Sequence, residues 1–292
     1  NLLNDRRYRI KFVHADTNKI EQVKLSECKH LLHGMINKFQ TNLELFVRDV
    51  GCGNWNEVRN DSFWLIYDLG ADIKFKDIDM RRIFSRIKFT QKYIGIISHW
   101  DLDHYRAILD LDTHHLSLMK FILVPTKIPD TVQFKQSISR LRNLGIPIIS
   151  IPPSTRSSRR KIDLKRHTKF YNFLLYRSTD GSSINQSGIV LKVEGNSKIA
   201  VLTGDHHYRQ LYKTVVHTKT QKPYEFVVPH HAGNAGRFNQ LDWNRISFTS
   251  GAISTRQGRY KNLPRNYIHN YFRTGKGFFC TDCIRDDYNI PL

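Results

Sequence analysis

The six residues His99-Trp100-Asp101-Leu102-Asp103-His104 hold two imidazoles and two carboxylates. Four such groups left unpaired inside a protein would cost several kcal/mol of desolvation, a cost that a divalent cation removes. The alternative, an exposed polar turn, leaves that density of ligand types unexplained. Two other places offer the same chemistry. Val201-Leu202-Thr203-Gly204-Asp205 brings an apolar run to an Asp, and Val227-Val228-Pro229-His230-His231 brings another to a pair of imidazoles. Together they predict a binuclear site, in which a carboxylate bridges two cations and a bound water loses its proton near neutral pH.

The elements that must position these groups are legible around them. Tyr93-Ile94-Gly95-Ile96-Ile97 is short, apolar and β-branched, as a strand buried on both faces should be. Ala107, Ile108, Leu109 and Leu111 predict a helix just beyond, with Asp103 and His104 at its N-terminus. On this reading His99, Asp101 and Asp103 converge by alternation and His104 turns to the opposite side. A strand end feeding a helix start is the usual place for a site in an α/β protein. Further strands are expected at Leu43 to Val50, Ser62 to Asp68, Phe121 to Pro125, Ile146 to Ile151, Phe170 to Tyr176, Gly188 to Glu194, Ile199 to Thr203 and Phe226 to Val228. A helix is expected over Thr131 to Asn143. The pattern gives two strand-rich halves, each followed by helical segments, within one domain of residues 43–292. Residues 1–42, with a strand at Tyr8 to Val13 and an amphipathic helix within Val23 to Phe39, read as an N-terminal elaboration. Residues 152–169 read as a basic Ser/Pro-containing loop that interrupts the alternation.

The chain has 292 residues with 40% hydrophobic and 12% aromatic content, which argues for a folded protein. No apolar run approaches the roughly 20 residues that span a bilayer, and the start shows no signal-peptide pattern. The expectation is a soluble, cytoplasmic protein. A formal charge of +20, from 46 Lys and Arg against 26 Asp and Glu, makes a polyanion the expected partner. Arg156, Arg159, Arg160, Lys161, Lys165, Arg166 and Lys169 crowd one stretch, and Phe170, Tyr171, Tyr208 and Tyr212 offer faces for base stacking. Four cysteines do not make a disulfide framework in a chain of this size. Cys280-Thr281-Asp282-Cys283 has a zinc-compatible spacing but no second pair, so buried or edge-strand thiols are expected there.

The ordered motifs resemble the metallo-β-lactamase-fold hydrolases, and among them the nuclease-like domain of ComEC-type competence proteins and its stand-alone relatives. Asp49-Val50-Gly51-Cys52-Gly53 and Asp68-Leu69-Gly70 resemble two of that group's early motifs. His99-x-Asp101-x-Asp103-His104 resembles its His-x-Asp-x-Asp-His variant of the metal motif, and Asn185-Gln186-Ser187-Gly188 stands where other members carry a third-motif His. Leu202-Thr203-Gly204-Asp205 and Pro229-His230-His231 follow in order. Ile253-Ser254 and Thr281-Asp282 resemble the closing strands.

The resemblance implies an α/β protein with the metallo-β-lactamase fold, a four-layer αβ/βα sandwich, and two divalent ions, Mn²⁺ or Zn²⁺. It implies that Asp103, His104 and Asp205, with His231 favoured over His230, hold one ion. His99, Asp101 and Asp205 hold the other, and Asp205 bridges. Asp103 and His104 are the expected catalytic pair, Asp103 orienting or deprotonating the attacking water. Asn185 and Ser187 line the site. The chain departs from the group at Asn54, at Asn262-Leu263-Pro264 and at Ala232-Gly233 after the His pair; none of these is a proposed ligand.

The function expected is phosphodiester hydrolysis of nucleic acid by a two-metal hydroxide mechanism. DNA is favoured over RNA, in bacterial DNA processing or anti-phage defence, with a protein partner encoded in the same operon. Two other readings differ in class: a hydrolase of a small cyclic nucleotide or ester, and a catalytically degraded nucleic-acid-binding subunit.

Overall fold

The computed structural model describes residues 39–154, 163–179 and 183–292. The expectations for Tyr8 to Val13, for most of Val23 to Phe39 and for Cys28 lie outside the described residues, as do Arg156, Arg159, Arg160 and Lys161. The first sheet contains β1 (Glu44–Val47), β2 (Trp55–Asn60), β3 (Phe63–Leu69), β4 (Tyr93–Ile96), β5 (Met119–Pro125) and β6 (Ile148–Ile151). The second contains β7 (Leu164–Phe170), β8 (Phe173–Ser178), β9 (Ile189–Glu194), β10 (Ile199–Leu202), β11 (Tyr224–Val227), β12 (Phe248–Ile253) and β13 (Phe279–Cys280). The last strand, β14 (Tyr288–Pro291), crosses back to the first sheet, giving the orders β14-β1-β2-β3-β4-β5-β6 and β13-β12-β11-β10-β9-β8-β7. Both sheets share one plan: an antiparallel part (β14 to β3, and β7 to β10) continues into a parallel part (β3 to β6, and β10 to β13).

Strand alternation divides the interior into three cores. Leu65, Tyr67, Ile94, Ile96 and Leu123 pack against Leu175, Leu191, Val193 and Leu202 between the sheets. The opposite faces of the same strands, Trp64, Ile66 and Ile122, bury Met80, Ile83, Phe134, Ile138 and Leu141 from helices Asp77–Arg86 and Val132–Asn143. Val190, Val201 and Phe226 meet Leu211, Trp243, Ile268 and Phe272 on the outer face of the second sheet. Strands buried on both faces need apolar residues at every position, so Phe63-Trp64-Leu65-Ile66-Tyr67 reads as one continuous run. Helix, sheet, sheet and helix make the four-layer αβ/βα sandwich that the sequence resemblance implies. Among the described residues, no helix is long and apolar enough to cross a membrane.

Two local expectations are corrected. Phe170 to Tyr176 is not one strand: the chain turns at Tyr171 (φ 50°) and Asn172, so β7 lies inside the supposed basic loop and pairs antiparallel with β8. Phe170 and Phe173 stack across that turn at 5.5 Å, which is why an apolar run here hides a hairpin. Thr281-Asp282 is not a strand either. It opens the short helix Thr281–Ile284, and the strand ends at Cys280.

One close approach fixes the turn after β3 against the segment after β4. A Cβ on Gly70 would sit 1.7 Å from the carbonyl oxygen of Asp103, with backbone atoms rather than a movable side chain in the way. The expected outcome of Gly70→Ala is a loss of about 3 kcal/mol in urea unfolding. An unchanged midpoint would show that this turn yields.

Candidate metal centre

The parallel strands of both sheets deliver their C-terminal ends to one edge of the sandwich, and the chemically competent groups follow those ends. Asp68 ends β3, Ser98 and His99 follow β4, Asp205 follows β10, His230 and His231 follow β11, and Ser254 follows β12. One ligand atom each from His99, His104 and Asp205 lie within 4.8 Å of one another, and so do those of Asp103, His104 and His231. Within this centre His104 Nε2 is 3.3 Å from Asp205 Oδ1 and 3.9 Å from Asp103 Oδ2. His231 Nε2 is 3.2 Å from Asp103 Oδ2, and His99 Nε2 is 3.4 Å from Asp101 Oδ2 and 3.7 Å from Asp205 Oδ2.

His104 does not turn away from the others, as strand-like alternation predicted. The backbone leaves extended geometry at Asp101 and enters a helical turn at Leu102–Tyr105, so the side-chain period changes and the His99 and His104 rings come to 4.0 Å. His230 and His231 are also separated. His231 is buried and faces Asp103, whereas His230 is partly exposed with Nε2 3.6 Å from Asp205 Oδ2.

Each buried imidazole is aimed by its other nitrogen. Asp68, fully buried, accepts from Ser98 N at 2.6 Å and Ser98 Oγ at 2.8 Å, and pairs with His104 Nδ1 at 2.8 Å. The Ser98 hydroxyl, donating to Asp68, accepts from His99 Nδ1 at 3.0 Å. His231 Nδ1 donates to the Ser254 carbonyl at 2.7 Å. These contacts place the ring protons on Nδ1 and leave three Nε2 lone pairs facing the same space, the arrangement that metal-bound imidazoles need. His99 Nε2, His104 Nε2 and Asp205 Oδ1 are buried and make no hydrogen bond among the described residues. Buried polar atoms are otherwise almost always paired. Their convergence therefore fits a divalent cation, and the mixed imidazole and carboxylate donor set suits zinc or manganese.

Burial opposes every charge here, and the neighbours override it. Burial alone would lower the pKa of His104, but the carboxylates of Asp205, Asp68 and Asp103 raise it well above the usual imidazole range, so a cation at Nε2 must displace a proton that the same carboxylates attract. Burial would raise Asp205, yet His230, His104 and His99 hold its carboxyl well below the ordinary range. His206, next in sequence, has no such partners, and burial pushes it down to about 3.

Asp101 sits beside His99 with a partly exposed side chain. Asn185 reaches the centre, its Nδ2 donating to Asp205 Oδ2 at 3.0 Å, whereas the Ser187 hydroxyl turns to the Ser183 carbonyl. Lys165 and Arg166 lie near the start of β7, and Lys169 near its far end beside Glu194 at 3.4 Å. Ser154 and Asp163, which flank residues 155–162, bond to Ser178 and Thr179 at the same edge as the centre. The roles of Asp68, Ser98 and Ser254 were not visible as such in the sequence. Asp68 carried a signal, since it stands in the Asp-Leu-Gly turn with φ 62°.

No protein-family model matches the sequence, and no curated protein is similar to it. Among solved structures the chain is similar to the metallo-β-lactamase fold protein YhfI from Bacillus subtilis, at 11% identity and TM-score 0.45, over 86% of this chain and 100% of that one. It is similar to the short form of human tRNase Z at 11% identity and TM-score 0.45, over 85% and 98% of the two chains. A third likeness is to Zn²⁺-bound PqqB from Methylobacterium extorquens, at 10% identity and TM-score 0.42, over 82% and 86%. The site is read from its own geometry.

Asp68→Asn puts an amide N–H where a proton acceptor stood, and so turns the proton of His104 toward Nε2. Zinc affinity, measured by competition with a chromophoric chelator, is expected to fall about 10- to 100-fold. Unchanged affinity would remove Asp68 from this role.

Proposed function

We propose that this protein is a metal-dependent phosphodiesterase acting on nucleic acid, with DNA as the first substrate, of the kind related to the ComEC-type nuclease-like domain. The observation that carries the reading is the set of unpartnered buried ligand atoms of His99, His104 and Asp205, beside Asp103 and His231, in a chain of net charge +20. In this reading Asp103, His104, His231 and Asp205 would hold one cation and His99, Asp101 and Asp205 the other, Mn²⁺ or Zn²⁺. Bound divalent cations supply Lewis-acid polarisation of a phosphoryl oxygen and lower the pKa of water.

The remaining work belongs to the chain's own side chains. Asp103 is the more open of the two central carboxylates, with a quarter of its side chain exposed against 3% for Asp205. It is the group placed to orient a water and take its proton. Asp205, buried among His99, His104 and His230, is the fixed anion around which cations gather. The segment Arg256 to Arg265 borders the same edge. Arg265 N donates to the Ala232 carbonyl, while Arg259 Nε lies 3.4 Å from Asp72 and the Tyr260 hydroxyl donates to Asp72 at 3.1 Å. Arg256 and Arg259, with Lys165 and Arg166, supply positive charge suited to a phosphate backbone, a contact that gives affinity without sequence information.

The test is to incubate the full chain with labelled single- and double-stranded DNA and RNA in Mn²⁺, Zn²⁺ or EDTA. Cleavage is expected with either ion, none in EDTA, and at least about a 100-fold loss in Asp103→Ala and Asp205→Ala. Binding without cleavage would replace the reading with a nucleic-acid-binding subunit, and turnover of small phosphodiesters alone would replace it with a small-substrate hydrolase. Affinity for DNA, read by fluorescence anisotropy in EDTA, is expected to weaken about 10³-fold between about 50 and 200 mM salt, the slope of about six phosphate contacts. A flat salt response would deny the backbone a role.

A further inference from the structure

A second cluster of ligand atoms lies outside this centre, where β13 runs into helix Thr281–Ile284. His269 Nε2 is 3.4 Å from Cys280 Sγ and 4.0 Å from Cys283 Sγ, and the three ligand atoms lie within 4.8 Å of one another. Cys280 and His269 are buried and Cys283 is partly exposed. The structure pairs the two sulfurs, with Cα atoms 5.3 Å apart. Their hydrogen bonds describe a different preference. The backbone N–H of Cys283 donates to Cys280 Sγ at 3.4 Å, and Gln257 Nε2 donates to Cys283 Sγ at 3.1 Å. A disulfide sulfur is a weak acceptor and gains little from N–H donors, whereas a thiolate is stabilised by them. Each sulfur thus has one N–H donor that stabilises its thiolate form, with an imidazole nitrogen facing both.

We propose that reduced Cys280 and Cys283 together with His269 form a second metal site, for a soft divalent cation of the zinc class, with its fourth position open to solvent beside Cys283. Binding releases the two thiol protons. Where the pair is oxidised, a dithiol reductant must first supply two electrons and two protons. Donors of this type, two thiolates and one imidazole, select zinc over magnesium or manganese, so the two centres differ in the metals they accept. The cluster's location gives it a structural consequence. Thr281 Oγ1 accepts from Thr255 N at 3.3 Å and donates to the Ile253 carbonyl at 3.3 Å, and Asp282 accepts from Gln257 N at 2.9 Å. The segment held this way contains Ser254, whose carbonyl aims His231.

Cobalt(II) separates this site from the other, because only thiolate ligation gives an intense sulfur-to-cobalt charge-transfer band and the first centre offers nitrogen and oxygen alone. The full chain, reduced and kept without oxygen, is titrated with cobalt(II). A near-ultraviolet charge-transfer band is expected, whose final amplitude corresponds to one thiolate-bound cobalt per chain whatever cobalt the first centre takes up. It should be absent in Cys280→Ser and Cys283→Ser, at least tenfold weaker in apparent affinity in His269→Ala, and retained in Cys52→Ala. Zinc should displace the cobalt and protect two thiols from alkylation. Absence of the band in folded wild-type protein whose two thiols titrate as free would overturn the proposal, and so would a Cys280–Cys283 disulfide that persists in excess dithiol.

Discussion

Everything at the metal-ligating edge depends on one buried carboxylate. Asp68 takes the backbone N–H and the hydroxyl of Ser98 and pairs with the Nδ1 of His104, so a single group fixes the path of the chain after β4 and the direction of two imidazoles. A fully buried carboxylate is tolerable only when its lone pairs are used, and here they are. Remove that satisfaction and the strand end, the tautomers and the convergence of Nε2 atoms lose their common cause.

The second half of the molecule meets this arrangement at a cost in backbone conformation. His230, His231 and Ala232 all have positive φ (51°, 52° and 60°), which for non-glycine residues costs about 1–3 kcal/mol each. Bonds from His230 N to Gly204, from Arg265 N to Ala232 and from His231 Nδ1 to Ser254 hold the strained turn. The strain separates the two neighbouring imidazoles, one toward Asp103 and one toward Asp205. The carboxylates of Asp68, Asp103 and Asp205 then set up a negative field at the buried imidazoles that favours positive charge there, whether a proton or a cation.

Legibility followed range of interaction. The apolar run of β4, the helix over 132–143 and the delivery of Asp205 by β10 are local patterns and were readable. The hairpin at Tyr171-Asn172 was not, because Thr168 and Phe170 are buried only when β8 lies beside them, and a register shift between Arg166 and Thr168 sends Leu164 to the opposite core. The convergence of His104 departs from simple alternation because a change from extended to helical geometry at Leu102 alters which residues share a side. His269 carries no local signal: it is eleven residues from Cys280 on a separate helix, and nothing in the spacing predicts that the chain returns it to the sulfurs.

By itself the sequence determined which residue types stand at the strand ends and in what order, since apolar runs and the His, Asp and Asn groups that follow them are covalent facts. From these came the layered α/β class, the metal-binding character and the basic surface. Only the tertiary structure decided how the ligands divide. It set His231 against Asp103 and His230 against Asp205, made Asp68 the support beneath His104, and gathered a third ligand at Cys280 and Cys283. Those choices rest on contacts across up to 128 residues, such as His231 with Asp103, and such contacts exist only once two sheets have packed and brought their strand ends to one edge.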